Sequence, residues 1–171
     1  MWHTVPRFFC VSWFPWELEG ETENDSMGKY VICDTATPNH GKTQTLLKVI
    51  DRLKLITDYE GIEETQINEE DKYASFQINN KRIVVNTLGD PVPDFNKYLM
   101  KAVDENANVI ICASRESGNT IEIVNSLEGF EYEIIRFSNF YSLTDNLSCK
   151  PFLLDDMAQA VIQLALKLLA L

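Results

Sequence analysis

From Lys29 onward, hydrophobic and polar positions along the chain switch between two periods. Residues 30–34, YVICD, form a continuous apolar run of strand length, as expected for a strand covered on both faces. Leu46, Leu47, Val49, Ile50, Leu53 and Leu55 then recur at helical spacing around Lys48, Asp51 and Arg52, which predicts an amphipathic helix over 42–56. The acidic, irregular run at 58–72, DYEGIEETQINEEDK, reads as an exposed connection. Two strand-like runs in YASFQINNKRIVVN flank Asn79-Asn80, a hairpin signal because Asn tolerates positive φ. The second of these ends in the turn TLGDP.

Residues 93–106 are helical in pattern through Phe95, Leu99, Met100 and Val103. NVIICAS reads as a second buried strand, NTIEIVNSL as a short helix and YEIIRFSNF as a further strand. The last segment, FLLDDMAQAVIQLALKLLAL, predicts a long helix in which Asp155, Gln159, Gln163 and Lys167 form a narrow wet stripe. Such a helix is expected to be covered by the sheet or by another subunit, which makes it the candidate surface for a protein partner or homo-oligomer. Alternating strands and helices with one early antiparallel hairpin strand predict an α/β fold, a three-layer sandwich with a mainly parallel sheet.

Residues 1–26 differ in character, with three tryptophans and three phenylalanines crowded into the first half and an acidic run at the end. They read as an N-terminal extension, disordered or peripheral, before a single domain at 27–171. With 15 Lys and Arg against 26 Asp and Glu, the formal charge is −11, so the surface repels polyanions and non-specific nucleic-acid binding is not expected. A small anion remains admissible, since converging backbone N–H groups outweigh net charge at short range. The four cysteines, Cys10, Cys33, Cys112 and Cys149, are widely spaced without metal-ligand pairing and read as reduced thiols. Cys33 and Cys112 lie within apolar runs, where a thiol behaves as a small hydrophobe. Reduced thiols and the lack of an uninterrupted membrane-length apolar stretch together lead to a cytoplasmic expectation.

One stretch carries chemistry. Residues 36–43, ATPNHGKT, place Ala36, the free positions Thr37, Pro38, Asn39 and His40, then Gly41, Lys42 and Thr43 between the first predicted strand and the first predicted helix. A loop of this kind turns successive N–H groups inward, at the positive end of a helix, as a nest for phosphate oxygens. Gly41 permits close approach, Lys42 bridges terminal phosphates and the Thr43 hydroxyl suits Mg2+, with Gln44 completing the mouth. Typical residue frequencies give a chance match in roughly 1 of 100 chains this long, so the strand-loop-helix context is what makes the motif informative.

These residues resemble the Walker A motif of the P-loop NTPases, and element order resembles that superfamily over about residues 29–137. The resemblance implies a three-layer sandwich, Mg2+ and ATP as cofactor and substrate, and an acidic Walker B residue at the end of another strand. RIVVNTLGDP is similar to that second site, but Asn86 stands where Asp is typical, so Asp90 or Asp34 is the candidate carboxylate. The hairpin followed by NTLG looks similar to small GTPases, yet no Asn-Lys-x-Asp run for guanine is present and RFSNFYSLTDN stands in the comparable region. ATP is therefore the expected nucleotide.

Arg115 follows a predicted strand at its carboxyl end, where it is placed to touch a γ-phosphate. The expected catalytic set is thus Lys42, Asp90 and Arg115, with Thr43 and Asp90 on the metal. The sequence favours ATP hydrolysis; its alternatives are a nucleotide-dependent interaction switch, with 58–72 changing order, and a small-molecule kinase. The last is disfavoured by a total of only five arginines, too few for a basic lid.

Overall fold

The computed structural model describes residues 28–36, 41–89, 91–138 and 150–170. Six strands, β1 (Lys29–Thr35), β2 (Ile62–Gln66), β3 (Lys72–Ile78), β4 (Lys81–Asn86), β5 (Val109–Ser114) and β6 (Tyr132–Phe137), form one sheet. The helices are α1 (Lys42–Ile56), α2 (Val92–Asp104), α3 (Asn119–Ser126) and α4 (Lys150–Ala170). Strand order is β2-β3-β4-β5-β1-β6, with β4, β5, β1 and β6 mutually parallel and β2-β3-β4 an antiparallel meander.

The parallel part follows directly from composition. All six residues of β5 are buried, and β1 keeps Val31, Ile32, Cys33 and Asp34 buried, because helices cover both faces. On one face, Ile32, Val85 and Ile111 pack against Leu46 and Ile50 of α1 and Val161 and Ala165 of α4. On the other, Val31, Val84 and Ile110 pack against Phe95 and Leu99 of α2 and Val124 of α3. The β3–β4 turn places Asn79 and Asn80 at φ 51° and 63°, the paired left-handed geometry of a two-residue hairpin.

Two expectations need correction. The run at 58–72 is not a structureless connection: it contains a short 3-10 turn at Tyr59–Gly61 and then the edge strand β2, so the antiparallel part has three strands rather than one hairpin. Four of the five β2 residues are exposed, so its sequence lacks the alternation that marks a half-buried strand; charges such as Glu63 and Glu64 instead blunt a sheet edge. The wet side of α4 is broader than a stripe, since Phe152, Asp156 and Ala160 are exposed beside Gln159, Gln163 and Lys167. Its apolar side is covered by α1 and the sheet of the same chain, where Leu154, Ala158, Val161, Ile162, Ala165 and Leu169 are buried. No helix among the described residues is long and apolar enough to cross a membrane.

Candidate functional site

Because β1, β4, β5 and β6 are parallel, their carboxyl ends share one edge of the sheet. Six residues, 36–41, join the end of β1 to the start of α1 there. Of these, Thr37, Pro38, Asn39 and His40 lie outside the described residues. The two ends of the loop are fixed. Ala36 is fully buried, and Gly41 adopts the left-handed conformation, φ 78° and ψ 15°, immediately before the helix.

Glycine is required at position 41 on two counts. A side chain there is conformationally strained, and its Cβ would stand 2.9 Å from Leu154 Cδ2 of α4. The Gly41 carbonyl accepts the Thr45 N–H at 2.9 Å, starting the helical ladder, while Lys42 Nζ donates to the Ala36 carbonyl at 2.6 Å. The lysine thus ties the first residue after β1 to the helix mouth.

A cleft of about 850 Å³ opens beside this mouth. Gly41, Lys42, Thr43 and Gln44 form one wall, Leu47 and Asp51 continue it along α1, and Gln66, Asn68, Glu69, Glu70 and Lys72 face them from the β2–β3 turn. That turn is held by side chains. Asn68 Oδ1 accepts the N–H groups of Glu70 at 2.8 Å and Asp71 at 2.7 Å, and Asn68 Nδ2 donates to Asp71 Oδ2 at 3.0 Å. Thr87, directly after β4, donates its hydroxyl to Asp71 Oδ1 at 3.0 Å and accepts the Lys72 N–H at 2.9 Å. The far wall of the cleft is therefore anchored to the residue beside Asn86.

Lys72 also bonds Glu64 of β2, and that contact outweighs desolvation to raise the ammonium above its ordinary range. Burial pushes the Glu64 carboxyl up, but its hydrogen bonds and charge attraction with Lys54 and Lys72 prevail and hold it below the usual carboxylate range.

Buried polar side chains gather at the same carboxyl edge: Asp34, Thr45, Asn86, Thr87, Ser114 and Thr120. Withdrawing such groups from water is costly unless they are hydrogen-bonded, as Thr87, Ser114 and Thr120 are. Asn86 ends β4 fully buried; its Oδ1 accepts the Leu88 N–H at 3.2 Å, and its Nδ2 has no hydrogen-bond partner among the described residues. Asp90 lies outside the described residues. Its neighbour Gly89 stands near the Ala113 carbonyl, 4.0 Å from where a Cβ would be, which brings the turn after β4 to the end of β5. Asp34 pairs in register with that same Ala113.

Arg115 is the first residue after β5 and is exposed; its backbone N–H donates to Thr120 Oγ1 at 3.1 Å. It shares the carboxyl edge but does not line the cleft. Among the described residues no group of three or more His, Cys, Asp or Glu is arranged to hold a metal ion. The fold thus brings Ala36, Gly41, Lys42, Thr43 and Gln44 together at one opening and leaves Arg115 apart from it. Asn68, Asp71 and Thr87 were not singled out from the sequence; an Asn three residues ahead of an Asp at a strand start is a turn signal that the acidic run concealed.

Comparison with protein-family models, with curated proteins and with solved structures finds no match for this chain.

Proposed function

We propose that the loop 36–43 binds the phosphates of a nucleoside triphosphate, ATP in preference to GTP, with Mg2+, and that the bound γ-phosphoryl is transferred to water. The observation that carries this reading is the pairing of sequence pattern with local geometry: Gly41 left-handed at the helix mouth, Lys42 bonded to the Ala36 carbonyl, and a cleft beside Gly41 and Lys42. An ammonium has three donors, so Lys42 can keep the Ala36 carbonyl and still bond an anionic phosphate oxygen, the stronger acceptor. The N-terminus of α1 adds its partial positive charge in the same direction.

The donor set fits a hard divalent cation. Thr43 lines the cleft beside Lys42, and Asp34 supplies a carboxylate at the same sheet edge, with Asp90 next in sequence to Gly89. Mg2+ held by Thr43 and one of these carboxylates would neutralise phosphate charge and so make the terminal phosphorus more open to attack. The protein's own share of catalysis is positioning and charge compensation by Lys42, with Arg115 able to serve only if its loop turns toward the cleft.

The neutral Asn86 favours a second reading, a nucleotide-dependent interaction module of low turnover, because the strand-end position that would polarise a metal-bound water carries no charge. Steady phosphate release separates the two readings.

Binding is tested by thermal unfolding with ATP or GTP, each with and without Mg2+. At a hundred times Kd a ligand adds about 2.7 kcal/mol, which for a chain of this size raises Tm by roughly 5–10 °C. Mg2+-ATP is expected to give the largest rise, and Lys42→Ala to abolish it while leaving the unliganded Tm within a few degrees. No shift with any triphosphate at millimolar concentration would overturn the reading.

A further inference from the structure

Beneath the loop, the third residue before Ala36 and the third residue before Arg115 are both cysteines. Cys33 of β1 and Cys112 of β5 are direct register partners on adjacent parallel strands and belong to the same packed face of the sheet. Both are free thiols, buried and fully enclosed. Cys33 Sγ donates to Ser114 Oγ at 3.3 Å. An apolar filling of this site would need neither sulfur, and the same two strands end in the loop and in Arg115.

We propose that Cys33 and Cys112 form a reversible dithiol–disulfide switch, operated by a peroxide, that sets the spacing of β1 and β5 under the phosphate loop. Neighbouring strands lie about 4.8 Å apart, whereas a disulfide brings its Cβ atoms to about 3.8 Å with Cα atoms at roughly 5.5–6 Å. Bond formation is thus within reach but draws the strands' side chains together, and the nearest backbone able to absorb the change is the end of β1, where Asp34, Thr35 and Ala36 lead into the loop.

The oxidation needs one thiolate and one neighbouring thiol, which the register pairing supplies. One of the two sulfurs, as its thiolate, attacks an oxygen of hydrogen peroxide, giving a sulfenic acid and hydroxide, and the proton that sulfur gave up neutralises the hydroxide. The second sulfur then attacks the sulfenic sulfur, the sulfenic oxygen leaves as hydroxide and takes the second thiol's proton, and the net change is two thiols plus peroxide to one disulfide plus two waters. A small oxidant is required because neither sulfur is exposed.

Trypsin cleavage isolates each cysteine in its own peptide, residues 30–42 and 102–115. The full chain is treated with hydrogen peroxide under native conditions, its remaining thiols are alkylated, and the digest is analysed without reduction. The expected result is a linked 30–42/102–115 species lighter than the summed peptides by two hydrogen atoms and released by dithiothreitol. Its yield should be unchanged in a Cys10→Ser/Cys149→Ser variant and nil in Cys112→Ser. Recovery of Cys33 and Cys112 as alkylated peptides after excess peroxide would overturn the proposal, as would a link formed only after denaturation or one joining Cys10 or Cys149.

The regulatory half of the proposal rests on the nucleotide reading above. It predicts that the Mg2+-ATP shift in Tm seen with reduced protein falls by at least half after oxidation and returns with dithiothreitol. Equal shifts in both redox forms would overturn the regulatory half. A native link in a protein whose reduced form ignores every triphosphate would refute the nucleotide reading alone.

Discussion

At position 41, a backbone requirement and a packing requirement coincide. Gly41→Ala is expected to cost about 1–2 kcal/mol from the left-handed conformation, with a further penalty as Leu154 yields to the new Cβ. Urea unfolding should show this loss, and any nucleotide-dependent rise in Tm should disappear with it, since the proposed phosphate site begins at this mouth. Lys42→Ala should behave differently, because its bond to Ala36 is partly exposed to water and contributes about 1 kcal/mol or less. Asn86 offers the converse experiment. Asn86→Asp keeps the acceptor for the Leu88 N–H but buries a charge, and a loss of about 1–3 kcal/mol near neutral pH is expected. That loss should shrink in acid, where the introduced carboxyl is neutral, as measured by thermal unfolding at two pH values.

Among the elements, α4 is held to α1 by two different forces of unequal weight. Asp155 pairs with Lys48 and Arg52, but its side chain is 45% exposed, so Asp155→Asn should cost well under about 1 kcal/mol. Ile162→Ala, deep in the seam with the sheet, should cost about 2–4 kcal/mol by equilibrium unfolding. The antiparallel meander has its own pin. Thr87→Val removes the hydroxyl that bonds both Asp71 and the Lys72 N–H, leaving two polar groups unmatched at a partly buried site, for about 1–3 kcal/mol. Amide exchange over residues 67–71 should quicken more than exchange in β5, because this contact helps to tie down the wall of the cleft.

For the molecule as a whole, acid stability should depend on the Lys54–Glu64–Lys72 cluster that braces the edge strand. The Glu64 carboxyl is depressed on folding, so its contribution is complete above the unfolded carboxylate value and fades as pH falls through the lower folded value. Glu64→Gln is therefore expected to be less stable than the parent by up to about 1 kcal/mol at pH 7, with the difference shrinking as pH falls through the folded-state value. Denaturant midpoints across that range provide the check. The strong negative charge of the chain works against that trend, since protonation as pH falls from 7 first relieves self-repulsion that the local cluster does not address.

Much of the architecture was legible from the order of residues because the relevant physics is local. Helical spacing of Leu46, Val49, Ile50 and Leu53 fixed α1 at its observed bounds, the unbroken apolar runs marked β1 and β5 as central, and Asn79-Asn80 marked a hairpin through backbone preference alone. Gly41 and Lys42 at the start of α1 were equally readable, because they stand where the helical run begins. What tertiary structure alone decided is which distant residues become neighbours. β2 exists because β3 supplies its hydrogen bonds, not because its own exposed side chains call for a strand. Asp71 reaches Thr87, Leu154 closes on Gly41, and Cys33 meets Cys112 across 79 positions of chain only when β5 is inserted between β1 and β4. Periodicity reports which face of an element is dry; it carries no record of the surface that dries it.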